Sequence, residues 1–188
     1  MSNRDRYKPG PAAGAKVLKE GDQWTLVLVR DLRHPPEVVW QALTDPAQLC
    51  EWAPFDADRS LASVGPVRLS TVGTPKQQVS DSHVSRAEPP TLLEYQWGGN
   101  DLRWRLEPRG EGTRLTLWHH IDRGFISMGA AGWQICLDVL ERLLAGDPLG
   151  RIVGADAMRF DWPRLNQEYA KQFGVEAPDW PPQVPRAS

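Results

Sequence analysis

GAAGWQICLDVLERLLAG, residues 129–146, reads as one long helix with an apolar face wide enough for a sheet to grip. Trp133, Cys136, Leu137, Leu140, Leu143 and Leu144 recur at the i, i+3, i+4, i+7 spacing that stacks side chains on one side of a helix, while Gln134, Asp138, Glu141 and Arg142 fall opposite. The pattern predicts one buried face and one wet face. Ser127 stands where it caps the start, Asp138 and Arg142 are spaced as an i,i+4 ion pair, and Gly146 followed by Asp-Pro is a stop signal. At 1.5 Å per residue such a helix is roughly 27 Å long, so it needs a partner surface of similar length.

The preceding sequence supplies one. Trp24 to Arg30 is β-branched and apolar and has the length of a strand. His34-Pro35-Pro36 ends that ladder and opens a short helix with Val39, Trp40 and Leu43 on its apolar face; Asp45-Pro46-Ala47-Gln48 then caps a second short helix carrying Leu49 and Trp52. From Val64 the pattern turns to period two. Val67 to Thr71 alternates, Gln77 to Arg86 is a further strand of open register, and three clear strands follow. In these, Leu93, Tyr95 and Trp97, then Leu102, Trp104 and Leu106, then Leu115, Leu117, His119 and Ile121 share one face. Hairpin turns at Gly98-Gly99-Asn100 and at residues 108–112 join them into an antiparallel meander with a single covered face.

At the margins, residues 1–20 are rich in Gly, Pro, Lys and Ala without period and read as a mobile leader. Residues 21–150 form the domain, and residues 151–188 an extension in which Asp161-Trp162-Pro163 opens a helix with Leu165 and Tyr169 on one face, ended by Phe173-Gly174; prolines from Pro178 to Pro185 make an extended tail. Arg123 to Met128 is too apolar for an ordinary loop and reads as a lid over one end of the sheet.

A chain of 188 residues with 40% hydrophobic content suits one core. The net charge of −2 and the lack of a basic stripe argue against nucleic acid. Cys50 and Cys136 both sit in apolar helical patterns and read as reduced, buried thiols. No metal site is expected: the cysteines lack zinc spacing, and His119 and His120 point to opposite faces of a strand. No cofactor is expected either. The start lacks a secretory apolar region and no run approaches ~20 apolar residues, so the expectation is a cytoplasmic protein without membrane insertion.

The order of elements is the helix-grip arrangement, and particular residues carry a resemblance: RDLRHPPEVVWQALTDP at 30–46, Trp52, PPTLLEYQW at 89–97, GTRLTL at 112–117, His119 and Gly132-Trp133. Over residues 24 to 146 the chain resembles the SRPBCC or START-like superfamily, and within it bacterial proteins similar to the C-terminal domain of the activator of the heat-shock-protein-ninety ATPase. YAKQFG at 169–174 resembles the ending of many such proteins. The resemblance implies an α+β helix-grip (START-like) fold, a curved antiparallel sheet wrapped around a long C-terminal helix, with a cavity between them that accepts an apolar ligand.

Residue chemistry places Trp52, Trp97, Leu102, Trp104, Leu117, His119, Trp133 and Leu137 as the candidate ligand-binding set, since aromatic walls with one polar group are the usual form of a small-molecule site. Gly129-Ala-Ala-Gly132 leaves room beside them. The competing reading has the indoles simply filling core. His119 is the one candidate acid or base, though no inward carboxylate or nucleophile stands beside it, so no catalytic residue is assigned. Trp118, alone among polar outward residues, is covered by the helix after Asp161 or forms a contact in a homodimer. Three functions remain open: non-enzymatic binding of a small apolar or amphipathic ligand, a cyclase or hydrolase acting in the same cavity, and a protein-interaction role as a chaperone-ATPase regulator.

Overall fold

Strands present alternate side chains to alternate faces, so a run such as Leu93-Glu-Tyr95-Gln-Trp97 separates its apolar members from its polar ones. In the computed structural model, which describes residues 2–180, these runs form one eight-stranded antiparallel sheet. The chain order is β1 (Ala15–Glu20), β2 (Gln23–Leu32), α1 (Pro36–Thr44), α2 (Pro46–Trp52), β3 (Phe55–Ala57), β4 (Gly65–Thr71), β5 (Gln78–Glu88), β6 (Leu92–Trp97), β7 (Asn100–Arg109), β8 (Gly112–His120), α3 (Ile126–Leu144) and α4 (Trp162–Phe173). Across the sheet the order is β1-β2-β8-β7-β6-β5-β4-β3, so the two helices after β2 make the only long excursion and β8 returns to pair with β2. This is the helix-grip α+β fold: the curled sheet closes on α3.

Register decides what faces the helix. Leu26, His119, Leu102, Tyr95 and Val84 lie side by side across β2, β8, β7, β6 and β5, and the next inward row is Leu28, Leu117, Trp104 and Leu93. All nine are buried, and His119 is the one imidazole in an otherwise apolar row apart from the tyrosine ring. Asp45 accepts the backbone N–H of Ala47 at 3.0 Å and Pro46 opens α2, as the cap pattern requires.

Several expectations are corrected. The long helix begins at Ile126, preceded by a single 3-10 turn at Arg123–Phe125. Ser127 therefore lies inside the helix, where its hydroxyl donates to Oδ1 of Asn166 on α4 at 2.7 Å. The first half of the face read as wet is covered by α4, where Gln134 is only 4% exposed and accepts from the Tyr169 hydroxyl, while Arg142 near the helix end is exposed. Asp138 does not pair with Arg142, which reaches Asp147 instead. It accepts from Arg30 on β2 at 2.7 Å and from the Tyr7 hydroxyl at 2.6 Å.

The segment expected as a mobile leader carries a strand and packed contacts among residues 4–20. Ala15–Glu20 is the edge strand β1, and Arg4 donates to the carbonyls of Leu149, Gly150 and Arg151 and pairs with Asp156. The strand is hard to see in sequence because Lys16, Lys19 and Glu20 are exposed on it. Cys50 is exposed while Cys136 is buried. Trp118 is not covered by α4, whose Leu165 and Tyr169 face α3; it stays half-buried on the outer face with the Arg103 guanidinium 6.0 Å from its ring. Of the expected proline tail, residues 181–188 lie outside the described residues. Among those described, no helix is long and apolar enough to cross a membrane.

The Arg30–Asp138 pair joins sheet to helix with side chains 21% and 20% exposed, so most of its hydration is gone. Removing one partner strands the other. Arg30→Met is expected to cost about 2–3 kcal/mol in urea unfolding, and Arg30→Met combined with Asp138→Leu less than the sum of the two single changes. Strict additivity contradicts this coupling.

Candidate functional site

At the N-terminal end of α3 the grip is incomplete. A cavity of about 400 Å³ opens there, bounded by the β6–β7 hairpin (Trp97, Gly98, Asn100), the end of β8 (His119, Ile121) and the first turns of the helix (Met128, Gly129, Gly132, Trp133, Cys136). Its fourth wall comes from the extension, through Ile152, Val153, Gly154, Ala157, Trp162 and Trp180. Thr71, Thr74 and Gln78 complete the lining from the β4–β5 side. No Asp, Glu, Lys or Arg borders this space among the described residues.

The two glycines of the helix start differ in what they do. A Cβ at Gly129 would fall 2.5 Å from Cδ1 of Ile121, so this glycine serves close packing. One at Gly132 would meet nothing nearer than the Trp162 indole nitrogen at 4.0 Å, so the absent side chain is part of the cavity. The extension is held by Arg151, which donates to the Leu49 carbonyl at 3.3 Å and pairs with Asp56. At Gly154 a Cβ would sit 1.8 Å from the Gly73 carbonyl oxygen; the two backbones pass too closely for any other residue.

His119 is the polar centre. The indole Nε1–H of Trp133 donates to its Nδ1 at 2.9 Å, and Trp97 is tilted by 31° to its ring, with centroids 5.7 Å apart. An indole nitrogen only donates, so Nδ1 is the bare nitrogen and the ring proton sits on Nε2. That Nε2 is buried without a partner. Burial, with a smaller contribution from neighbouring His120, lowers the His119 pKa from 6.5 to about 3, so the ring is neutral at physiological pH. The Cys136 thiol is pushed up to about 12 by its burial and is not a thiolate.

Of the eight candidate residues, Trp97, His119 and Trp133 border the cavity. The other five are core. Trp52 donates to the Ala42 carbonyl at 2.9 Å and meets Trp104 edge-on at 6.1 Å, while Trp104 donates to the Tyr95 hydroxyl at 3.0 Å. Leu102, Leu117 and Leu137 are buried beside them. Trp133 stands at the boundary, edge-on to both Trp104 and Trp97. Phe125 and Met128, from the segment read as a lid, also line the space. Trp162 and Trp180 were missed as lining residues; the two indoles of the extension were the available signal. Among the described residues no group of three or more His, Cys, Asp or Glu side chains is placed to hold a metal ion.

Comparison with known proteins bears on the family and the fold. A family model described as "Activator of Hsp90 ATPase homolog 1-like protein" matches residues 33–145. No curated protein matches the chain in sequence. Among solved structures, a conserved protein of unknown function, EF2215 from Enterococcus faecalis, is 16% identical with a TM-score of 0.66, over 84% of this chain and 89% of that one. CalU16 from Micromonospora echinospora is 22% identical with a TM-score of 0.59, over 89% and 97%. MLL2253 from Mesorhizobium loti is 28% identical with a TM-score of 0.56, over 65% and 97%.

A depressed histidine makes stability depend on pH with a definite sign. Between 6.5 and about 3 the unfolded chain binds a proton that the folded ring refuses, so stability is full above 6.5 and falls as the pH drops. Relative to His119→Asn, which carries no titrating ring, the unmodified protein is expected to lose about 2 kcal/mol more between pH 7 and pH 5. The other histidines are common to both proteins and cancel. Parallel stability–pH curves contradict a neutral, buried His119.

Proposed function

The chain belongs to the family of proteins like activator of Hsp90 ATPase homolog 1, and on that premise we propose that it binds a small apolar or amphipathic ligand in the cavity at the N-terminal end of α3, without chemistry of its own. One observation carries the reading: where the rest of the sheet–helix interface is filled with side chains, about 400 Å³ walled by four indoles stays open. Apolar surface transferred into such a space gains about 25 cal/mol per Å², so a ligand burying about 300 Å² gains about 7 kcal/mol before its ordering costs. After ordering costs of about 2 kcal/mol that leaves binding in the range of about 100 µM to 1 mM with no charged contact, and a ligand that buries more surface binds more tightly.

The cyclase or hydrolase alternative finds less support. General acid–base catalysis works best with a pKa near the operating pH, whereas His119 sits near 3 with Nδ1 occupied by Trp133. The chaperone-regulator alternative rests on family likeness alone. A homodimer contact through Trp118 remains a proposal, motivated by its half-buried ring on the outer face of the sheet.

Gly132 offers a direct test, because a larger side chain there enters the cavity and an interior helical glycine is replaced without backbone strain. Nile red, a neutral apolar dye, is expected to bind the unmodified protein with a Kd of about 1 mM or tighter. Gly132→Phe should weaken it at least about tenfold with no loss of melting temperature. Absence of dye binding, or equal binding to the variant, contradicts the proposal.

A further inference from the structure

Four indoles wall the cavity, and three of them are fixed. Trp97 donates from its ring nitrogen to the Thr71 hydroxyl at 2.8 Å, Trp133 donates to His119, and Trp162 is 6% exposed in the first turn of α4. The wall formed by residues 152–157 is fixed as well, through the carbonyls that Arg4 collects at residues 149–151 and the close passage of Gly154 over Gly73. Trp180 is different. It is half-buried, stands edge-on to Trp162 with centroids 6.2 Å apart at 66°, and arrives on a short return strand of chain beyond the end of α4.

That return has a defined pivot and a single fastening. Gly174 closes α4 with a left-handed φ of 68°, and the Val175 N–H donates to the Ala170 carbonyl at 3.0 Å, which turns the chain back along the helix. Past Val175, one hydrogen bond holds residues 176–180 among the described residues: the side-chain amide of Asn166 donates to the Pro178 carbonyl at 2.8 Å. Asn166 is itself 3% exposed, and its Oδ1 accepts from Ser127 in the first turn of α3, the turn that also gives Met128 and Gly129 to the cavity. One buried amide therefore joins the fixed floor to the lightly held cover. A segment with one hydrogen bond and one seated ring opens at far less cost than the helices beneath it.

We infer that residues 175–180 are a lid, pivoting at Gly174–Val175 and held shut by Asn166, which moves Trp180 off the cavity to admit and release its occupant. The inference rests on the ligand-binding reading above and adds how the cavity fills. Line shapes in fluorine NMR of 4-fluorobenzyl alcohol, a neutral and water-soluble probe, give its association and dissociation rates separately. Trp180→Ala is expected to raise both rate constants about tenfold, because a lid limits entry as well as exit, whereas loss of a static wall residue speeds exit alone. Asn166→Asp is expected to raise both with Trp180 still present, since a carboxylate still accepts from Ser127 but has no N–H for Pro178. An unchanged association rate in Trp180→Ala, or in a folded Asn166→Asp, overturns the inference and leaves the ligand site standing. Should Asn166→Asp not fold, Trp180→Ala decides the matter by the same criterion. Failure of both Nile red and the fluorinated alcohol to bind the unmodified protein removes the ligand-binding reading, and the lid falls with it.

Discussion

The hydrogen bond from the Trp133 indole to Nδ1 of His119 is the contact on which the site depends. It ties the second turn of α3 to β8 through the one imidazole of the inner row. Its consequences run in two directions. Toward the core, it holds the Trp133 ring edge-on to Trp104, whose own nitrogen is satisfied by Tyr95, so the packed half of the interface is closed without a stranded donor. Toward the open end, it fixes the tautomer of the imidazole, which burial keeps neutral.

What lies outside the residues matched by the family model shapes how that space is bounded. α3 is enclosed twice, by the sheet on one side and by α4 with the N-terminal segment on the other. Polar groups that this second layer covers are met one by one: Gln134 by Tyr169, Ser127 by Asn166, Asp138 by Arg30 and Tyr7. The same extension then passes back over the helix start, pinned by Arg151 and by the backbone approach at Gly154, and lends Trp162 and Trp180 to the cavity. Cavity and extension are thus one construction.

Most of the fold was legible because its determinants are local. Period-two runs at Leu93–Trp97 and Leu102–Leu106 fix strands and facing together, and proline in the first turn after an acidic cap fixes α2. The misreadings share a cause. A helix gripped on two sides must carry polar residues that are buried in pairs, and from sequence alone Gln134 and Asp138 are indistinguishable from a wet face. An edge strand needs no inward alternation on its free side, so β1 looked like a leader. Of the site, the row containing Trp97 and His119 was visible, but which indoles pack and which border the space depends on where the helix leaves the sheet, and Trp52 and Trp104 fall on the packed side.

The central claim is that His119 is held neutral by its burial, with Trp133 fixing its proton on Nε2. Long-range proton–nitrogen NMR correlation of the histidine rings between pH 7 and pH 5 measures this directly. The account predicts one ring that stays unprotonated at Nδ1 and protonated at Nε2 throughout. An imidazolium pattern for His119 in that range, or a proton found on Nδ1, contradicts it.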